Sequence, residues 1–248
     1  MNEVESYLAS LAERLRGAVG ADLVGVYAGG SYALGAYEDG TSDLDVAAVT
    51  RRSVPVAVRH AVVEAVRHEA LPCPARGLEL VLYPLEVTRG ATTEAGFELN
   101  LNTGRALRFR AELEPGAGGE HWFPIDRSIL AASGVALYGP PAAGVFTPLS
   151  REQLLPVLIQ SLRWHERGDA RPEDAVLNAC RALRFAAEGA WSSKAEAGRW
   201  ALGRAQDSQV VGAALAARGG GAGPDRRAAS DFVRTSAALL NRAREAPS

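Results

Sequence analysis

Two short apolar runs, residues 23–27 and 46–49, flank a glycine-rich turn, Gly29-Gly30-Ser31, and an acidic triplet, Asp43-Leu44-Asp45. Apolar runs of this length, bounded by Gly, Ser and Asp, read as buried strands joined by a functional connection. Side chains at i and i+2 of a strand share a face. Asp43 and Asp45 are therefore expected side by side, roughly 7 Å apart at Cα, with Leu44 turned into the core. Two ionised carboxylates held that way repel unless a cation lies between them. A hard cation such as Mg²⁺ accepts one or two carboxylates and fills its remaining positions with water and substrate phosphates. Gly29 and Gly30 permit close approach of backbone to a phosphate, and Ser31 adds a hydroxyl donor. The stretch predicts a metal–triphosphate site. It is not a Walker A loop, because Ala36-Tyr37 stands where Lys-Ser/Thr would follow the second glycine of the Gly30 to Gly35 spacing.

Gly30-Ser31, eleven intervening residues and then Asp43-Leu44-Asp45 resemble the Gly-Ser…Asp-x-Asp motif of the polymerase-β-like nucleotidyltransferases. That resemblance implies a third acid on a neighbouring strand. Residues 76–82, RGLELVL, are a strand with one carboxylate among apolar side chains, and Glu79 is the expected third acid.

Length and composition limit the alternatives. A chain of 248 residues, 47% hydrophobic, can fill one large core or two modest ones. Net charge is −2 and no long basic run occurs, so nucleic-acid partners are not expected. Cys73 and Cys180 are far apart in sequence and suggest no disulfide framework. His60, His68, His121 and His165 lack zinc-ligand spacing. No apolar run approaches the roughly 20 residues of a membrane span, and the acidic, amphipathic start is not a signal peptide. A soluble cytoplasmic protein is the expectation.

In order, the pattern predicts an amphipathic helix over 4–19 and another over 56–71, opened by Pro55, stopped by Pro72 and Pro74, and carrying His60 and His68 as ordinary surface positions. Glu86 follows a proline that weakens a strand reading. Residues 97–102 alternate with period two, residues 114–120 read as a loop, and a short helix is expected over 126–132. Strand–helix alternation up to residue 148 predicts an α/β domain, a mixed sheet flanked by helices. From 149 to 248 the pattern is all-helical. Ser150…Gln153 is a capping box, Pro172 opens a helix rich in early acids, Ser193…Glu196 opens a third, residues 219–223 are a loop, and Pro224 starts the last helix, fraying near Pro247.

The second half narrows the resemblance. The run from Ala175 through Arg181, Arg184 and Gly189 to Lys194 and Trp200-Ala201 resembles the C-terminal domain of the streptomycin/spectinomycin adenylyltransferases. The similarity extends from about residue 20 to 203 and is loose between 84 and 125. It implies a nucleotidyltransferase domain, 1–148, and a helical bundle domain, 149–248, with the site between them and a monomer as the simplest assembly. It implies Mg²⁺ on Asp43 and Asp45, ATP as co-substrate and Glu79 as general base. Arg181 and Lys194 would join Gly29, Gly30 and Ser31 around the nucleotide. Trp164 and Asp169, with Glu173 or Asp174 as a further acid, would hold the cationic groups of the acceptor, since an indole face and carboxylates both attract guanidinium or ammonium. The expected reaction is transfer of AMP from ATP to a hydroxyl of an aminoglycoside or aminocyclitol, conferring resistance. The alternatives are nucleotidyl transfer to another small hydroxylated metabolite, toxin-type modification of a protein or tRNA, and a nucleotide-binding regulator without catalysis. The intact acidic trio opposes the last. The family's mid-domain aromatic has no counterpart in residues 97–102, where Glu98 and Asn100 stand, and this departure concerns the acceptor.

Overall fold

A computed structural model describes residues 2–116, 121–167, 170–204 and 207–245. The chain divides into two compact units, Met1–Pro148 and Leu149–Ser248. The first contains a six-stranded sheet in the order β5-β4-β3-β2-β1-β6. Its strands are β1 (Leu23–Ala28), β2 (Leu44–Thr50), β3 (Leu78–Pro84), β4 (Leu99–Thr103), β5 (Arg110–Glu112) and β6 (Val135–Tyr138). Only β2 and β3 run parallel, and the other neighbours are antiparallel. A mixed sheet is what the alternation of elements predicts. The parallel pair needs a crossover, which the long segment containing α3 (Val56–Val66) supplies.

Alternation along the central strands divides the side chains between two cores. Leu44, Val46 and Ala48 of β2 and Leu78, Leu80 and Leu82 of β3 join Leu8, Leu11 and Leu15 of α1 (Glu3–Val19) and Val62, Val63 and Val66 of α3. The opposite face gathers Tyr27, Ala47, Val49, Tyr83 and Phe97 beneath Phe123 and Leu130 of α5 (Trp122–Ser133). Two short helices, α2 (Gly30–Ala33) and α4 (Leu85–Arg89), follow β1 and β3.

The first unit departs from the sequence expectations at several ends. Asn2 and Glu5 form a capping box on α1 that the periodicity did not reveal. Helix α3 stops at Val66 rather than 71. Arg67 turns extended (ψ 152°), the His68 amide donates to Thr103 Oγ1 at 2.9 Å, and His68 Nδ1 accepts from the Cys73 amide at 3.1 Å. His68 thus organises a turn instead of lying on a helix surface. Glu86 lies in α4, and α5 begins four residues before the expected 126. Strand β5 has no apolar signal, because its Arg110 and Glu112 are polar. The loop expected over 114–120 lies outside the described residues from 117 onward.

The regular elements among the described residues of the second unit are all helices: α6 (Arg151–Glu166), α7 (Pro172–Glu188), α8 (Lys194–Leu202), α9 (Ser208–Arg218) and α10 (Arg226–Glu245). Helix α7 is its centre and packs against each of the other four, and α10 also lies along α6. Ser150 with Gln153 and Ser193 with Glu196 form the two expected capping boxes, and Pro172 occupies the first turn of α7. Helix α9 was not anticipated, since its Gly, Ala and Val content gives a weak amphipathic pattern. The expected fraying at Pro247 falls outside the described residues. No described helix is long and apolar enough to cross a membrane.

Candidate active site

The turn after β1 is shaped by Asp45. The Gly29 amide donates to the Asp45 carbonyl at 2.8 Å, which fixes the start of the turn against β2. Gly30 follows with φ +51°, a left-handed conformation that favours glycine. A Cβ on Gly30 would lie 1.7 Å from Asp45 Oδ2. The carboxylate and the glycine backbone therefore occupy one tight corner, with Ser31 in the first turn of α2. Only a residue without a side chain closes it.

Asp45 and Glu79 are register partners across the parallel β2–β3 pair. Neighbouring strands lie about 4.8 Å apart, so this pairing sets the two half-buried acids next to each other on one face of the sheet. Asp43 precedes the first residue of β2 and keeps a quarter of its side chain exposed. One oxygen, Oδ2, lies 3.9 Å from Arg76 NH1, a loose ion pair. Among the described residues no three His, Cys, Asp or Glu side chains are grouped closely enough to hold a metal ion together. A magnesium ion takes as few as one or two carboxylates and completes its shell from water and phosphate oxygens. Asp43 and Asp45 supply two carboxylates at the start of β2, and Glu79 is a separate one beside Asp45.

In the second unit a polar cluster forms on one side of α7, where Asp174, Asn178 and Arg181 recur at the i, i+4, i+7 spacing of a single helix face. Asp174 Oδ1 accepts from Lys194 Nζ at 2.7 Å, and its Oδ2 accepts from Arg171 NH2 at 2.7 Å. Burial opposes ionisation of Asp174, but these two cations outweigh it and hold the carboxyl below its ordinary value. Arg181 NH1 donates to Asn178 Oδ1 at 3.4 Å, and its guanidinium lies 5.9 Å from the Trp191 ring centre. His165 Nδ1 faces the Ser161 carbonyl at 2.8 Å, while Nε2 lies 3.0 Å from Asn178 Nδ2. Burial, followed by the charges of Lys194 and Arg181, lowers the His165 pKa, so the ring is held neutral.

Of the expected acceptor residues, Trp164 and Glu173 are among the described residues. Trp164 makes an edge contact with His165, its ring centre 4.9 Å away. Glu173 faces Arg171 at 3.5 Å, and it is Asp174, one residue on, that meets Lys194. Asp169 lies outside the described residues. Sequence reading missed His165 and Asn178, and it offered Asp174 only as an alternative acceptor acid to Glu173, not as a member of the Lys194–Arg181 cluster. The helical spacing of Asp174, Asn178 and Arg181 was the available signal.

Residues 144–242 match a family model described as the aminoglycoside adenylyltransferase C-terminal domain. No curated protein matches the chain. Among solved structures, the chain is similar to the spectinomycin adenyltransferase AAD(9) from Enterococcus faecialis, crystallised with ATP and spectinomycin. The TM-score is 0.67 at 13% identity, over 97% of this chain and 99% of the other. That likeness extends to the whole fold.

Proposed function

We propose, from the premise that the chain belongs by its second unit to the aminoglycoside adenylyltransferase family, that this nucleotidyltransferase moves AMP from ATP to a hydroxyl of an aminoglycoside or aminocyclitol. The observation that carries the reading is the family match over 144–242 in a chain that also sets Asp45 beside Glu79 against a glycine turn. The crystallised relative of the same fold binds ATP and spectinomycin, which supports ATP as co-substrate here.

In this reading the acceptor oxygen bonds to the α-phosphorus as the bond to the β-phosphate oxygen breaks. Pyrophosphate leaves and the hydroxyl proton passes to Glu79. Gly29, Gly30 and Ser31 hold phosphate oxygens through amides and a hydroxyl. Asp43 and Asp45 would hold magnesium, which when bound neutralises phosphate charge and aligns the reacting groups. Lys194 and Arg181 are assigned to the nucleotide phosphates. Lys194 is the first residue of α8, an end at which a cation is unfavourable for the helix and an anion favourable. That placement suits a lysine kept for binding phosphate. Trp164, Asp169 and Glu173 are assigned to the acceptor's cationic groups, as is resistance to its physiological role.

The test is pyrophosphate release from ATP and Mg²⁺ in the presence of streptomycin, spectinomycin and other aminoglycosides. Release should coincide with a mass gain of one adenylyl group on the antibiotic, and Glu79→Gln should bind ATP normally but turn over far more slowly. Absence of release across the panel would overturn the acceptor class, and an unchanged kcat for Glu79→Gln would remove Glu79 as the base.

A further inference from the structure

The sheet order assigns sides to the reaction. The glycine turn joins β1 to β2 and the aspartates belong to β2, so the phosphate side is β1–β2. Glu79 is on β3, one strand over. An in-line displacement requires the attacking hydroxyl to enter opposite the departing pyrophosphate. A hydroxyl that hands its proton to Glu79 from the side away from β1–β2 approaches over β4 and β5, and on that approach the rest of the acceptor extends over those strands.

The side chains there are not those of a closed core. Asn102 is the β4 register partner of Glu79, and Arg110 is the β5 partner of Asn102. One step along the same face, Asn100 pairs with Val81 of β3 and with Glu112 of β5. Asn100, Asn102 and Glu112 are half-buried, open enough for a ligand. Asn100 Nδ2 donates to Glu112 Oε2 at 2.8 Å, and Arg110 engages the other carboxylate oxygen, so the row is held in place before any ligand arrives. The intervening residues, Leu99 and Leu101, point to the opposite face and are fully buried. A row of two amides and a carboxylate, ending at Glu112 two strands across and two residues along from Glu79, about 12 Å away, presents donors and acceptors for ring hydroxyls and an anion for an ammonium group.

We infer that Asn102, Asn100 and Glu112 form the acceptor-recognition row of the first unit, reading the hydroxyls and a cationic group of the molecule whose hydroxyl is adenylylated. The inference rests on the function proposed above and deepens it. Asn102, nearest Glu79, sets which hydroxyl reaches the base. Glu112 selects for positive charge at the far end.

The test uses the full chain saturated with Mg²⁺ and a non-hydrolysable ATP analogue, titrated calorimetrically with spectinomycin and separately with streptomycin. Asn102→Ala and Glu112→Gln should each weaken acceptor binding at least about tenfold. Affinity for the ATP analogue should stay within twofold, and Tm should be unchanged. Asn102→Gln, which keeps the amide, should recover part of the loss. Wild-type affinity for both acceptors in Asn102→Ala and Glu112→Gln would overturn the row while leaving the proposed function intact. A parallel loss of ATP-analogue binding or of Tm would overturn it in favour of a structural role. A flat titration of the wild-type chain with both antibiotics would overturn the acceptor class and the row together, and is distinguishable from the other outcomes because it needs no variant.

Discussion

The two faces of β2 and β3 come from the same residues read alternately, yet they do different work. On one face Leu44, Val46, Ala48, Leu78, Leu80 and Leu82 are sealed beneath α1 and α3 along the whole length of the strands. On the other face the apolar run is shorter. Ala47, Val49 and Tyr83 are covered at one end, and at the other end, where the strands begin, stand Asp45 and Glu79. The sealed face supplies stability, and its completeness lets the open face carry carboxylates whose burial would otherwise cost several kcal/mol each. A one-residue shift of register would exchange the two sets, so the apolar face also fixes where the acids stand.

The strongest way to break this comparison is to alter adjacent residues of β2. Asp45→Asn should reduce adenylyl transfer by about 10³-fold, at the upper end of what losing one preorganised electrostatic group costs. Its Tm should stay close to wild type. An Asp45→Asn enzyme with wild-type turnover would show that the open face is not the reactive one. Leu44→Ala, one position earlier and 1% exposed, should do the reverse. It should destabilise the chain by about 2–5 kcal/mol in urea unfolding, with kcat per folded molecule little changed.

A smaller effect sharpens the boundary within the open face. Val49 shares the face of Asp45 but lies at its covered end, 0% exposed. Val49→Ala should cost about 1–2 kcal/mol, from lost methyl groups and the cavity they leave, with activity preserved. Loss of turnover in a stably folded Val49→Ala chain would mean that the reactive region extends along the whole strand.

This division explains what could be read from sequence. The sealed face is a period-two apolar pattern that Asp43 and Asp45 interrupt on one side, so the sheet core and that pair were read from one observation, whereas Glu79 was expected from the third acid that the family resemblance implies. The capping boxes of α6 and α8 were legible because side-chain chemistry at fixed spacing identifies them. Strand β5 was not legible, because Arg110 and Glu112 are edge residues held by pairing to β4 rather than by burial. The end of α3 depends on a hydrogen bond from His68 to Thr103, thirty-five positions away. The Lys194–Asp174 pair is set by the packing of α8 on α7, and a difference of one residue between Glu173 and Asp174 decides which acid meets the lysine.

The polar groups of the second unit give the smallest predicted effect and a contrast with the open face of the sheet. His165 is bound into its unit through Ser161 and Asn178, so its protonation should alter folding. Its folded pKa is lowered from the ordinary 6.5, first by burial and then by Lys194 and Arg181, against the opposing influence of the Ser161 carbonyl and Asp174. Below pH 6.5 the unfolded chain therefore binds a proton that the folded chain refuses. Stability is complete above that pH and declines as pH falls toward the depressed folded value. For one group the slope cannot exceed about 1.4 kcal/mol per pH unit. Asp174 also has a lowered pKa, but its contribution is lost only as pH falls below the ordinary carboxylate range of 3.8, which leaves the interval from pH 6.5 to 5 to the histidine. Urea midpoints measured across that interval should fall for the wild-type chain and flatten for His165→Gln. Equal slopes in both would mean that the ring titrates as it does in water, and that the polar cluster on α7 is as open to solvent as the end of the sheet that carries Asp45.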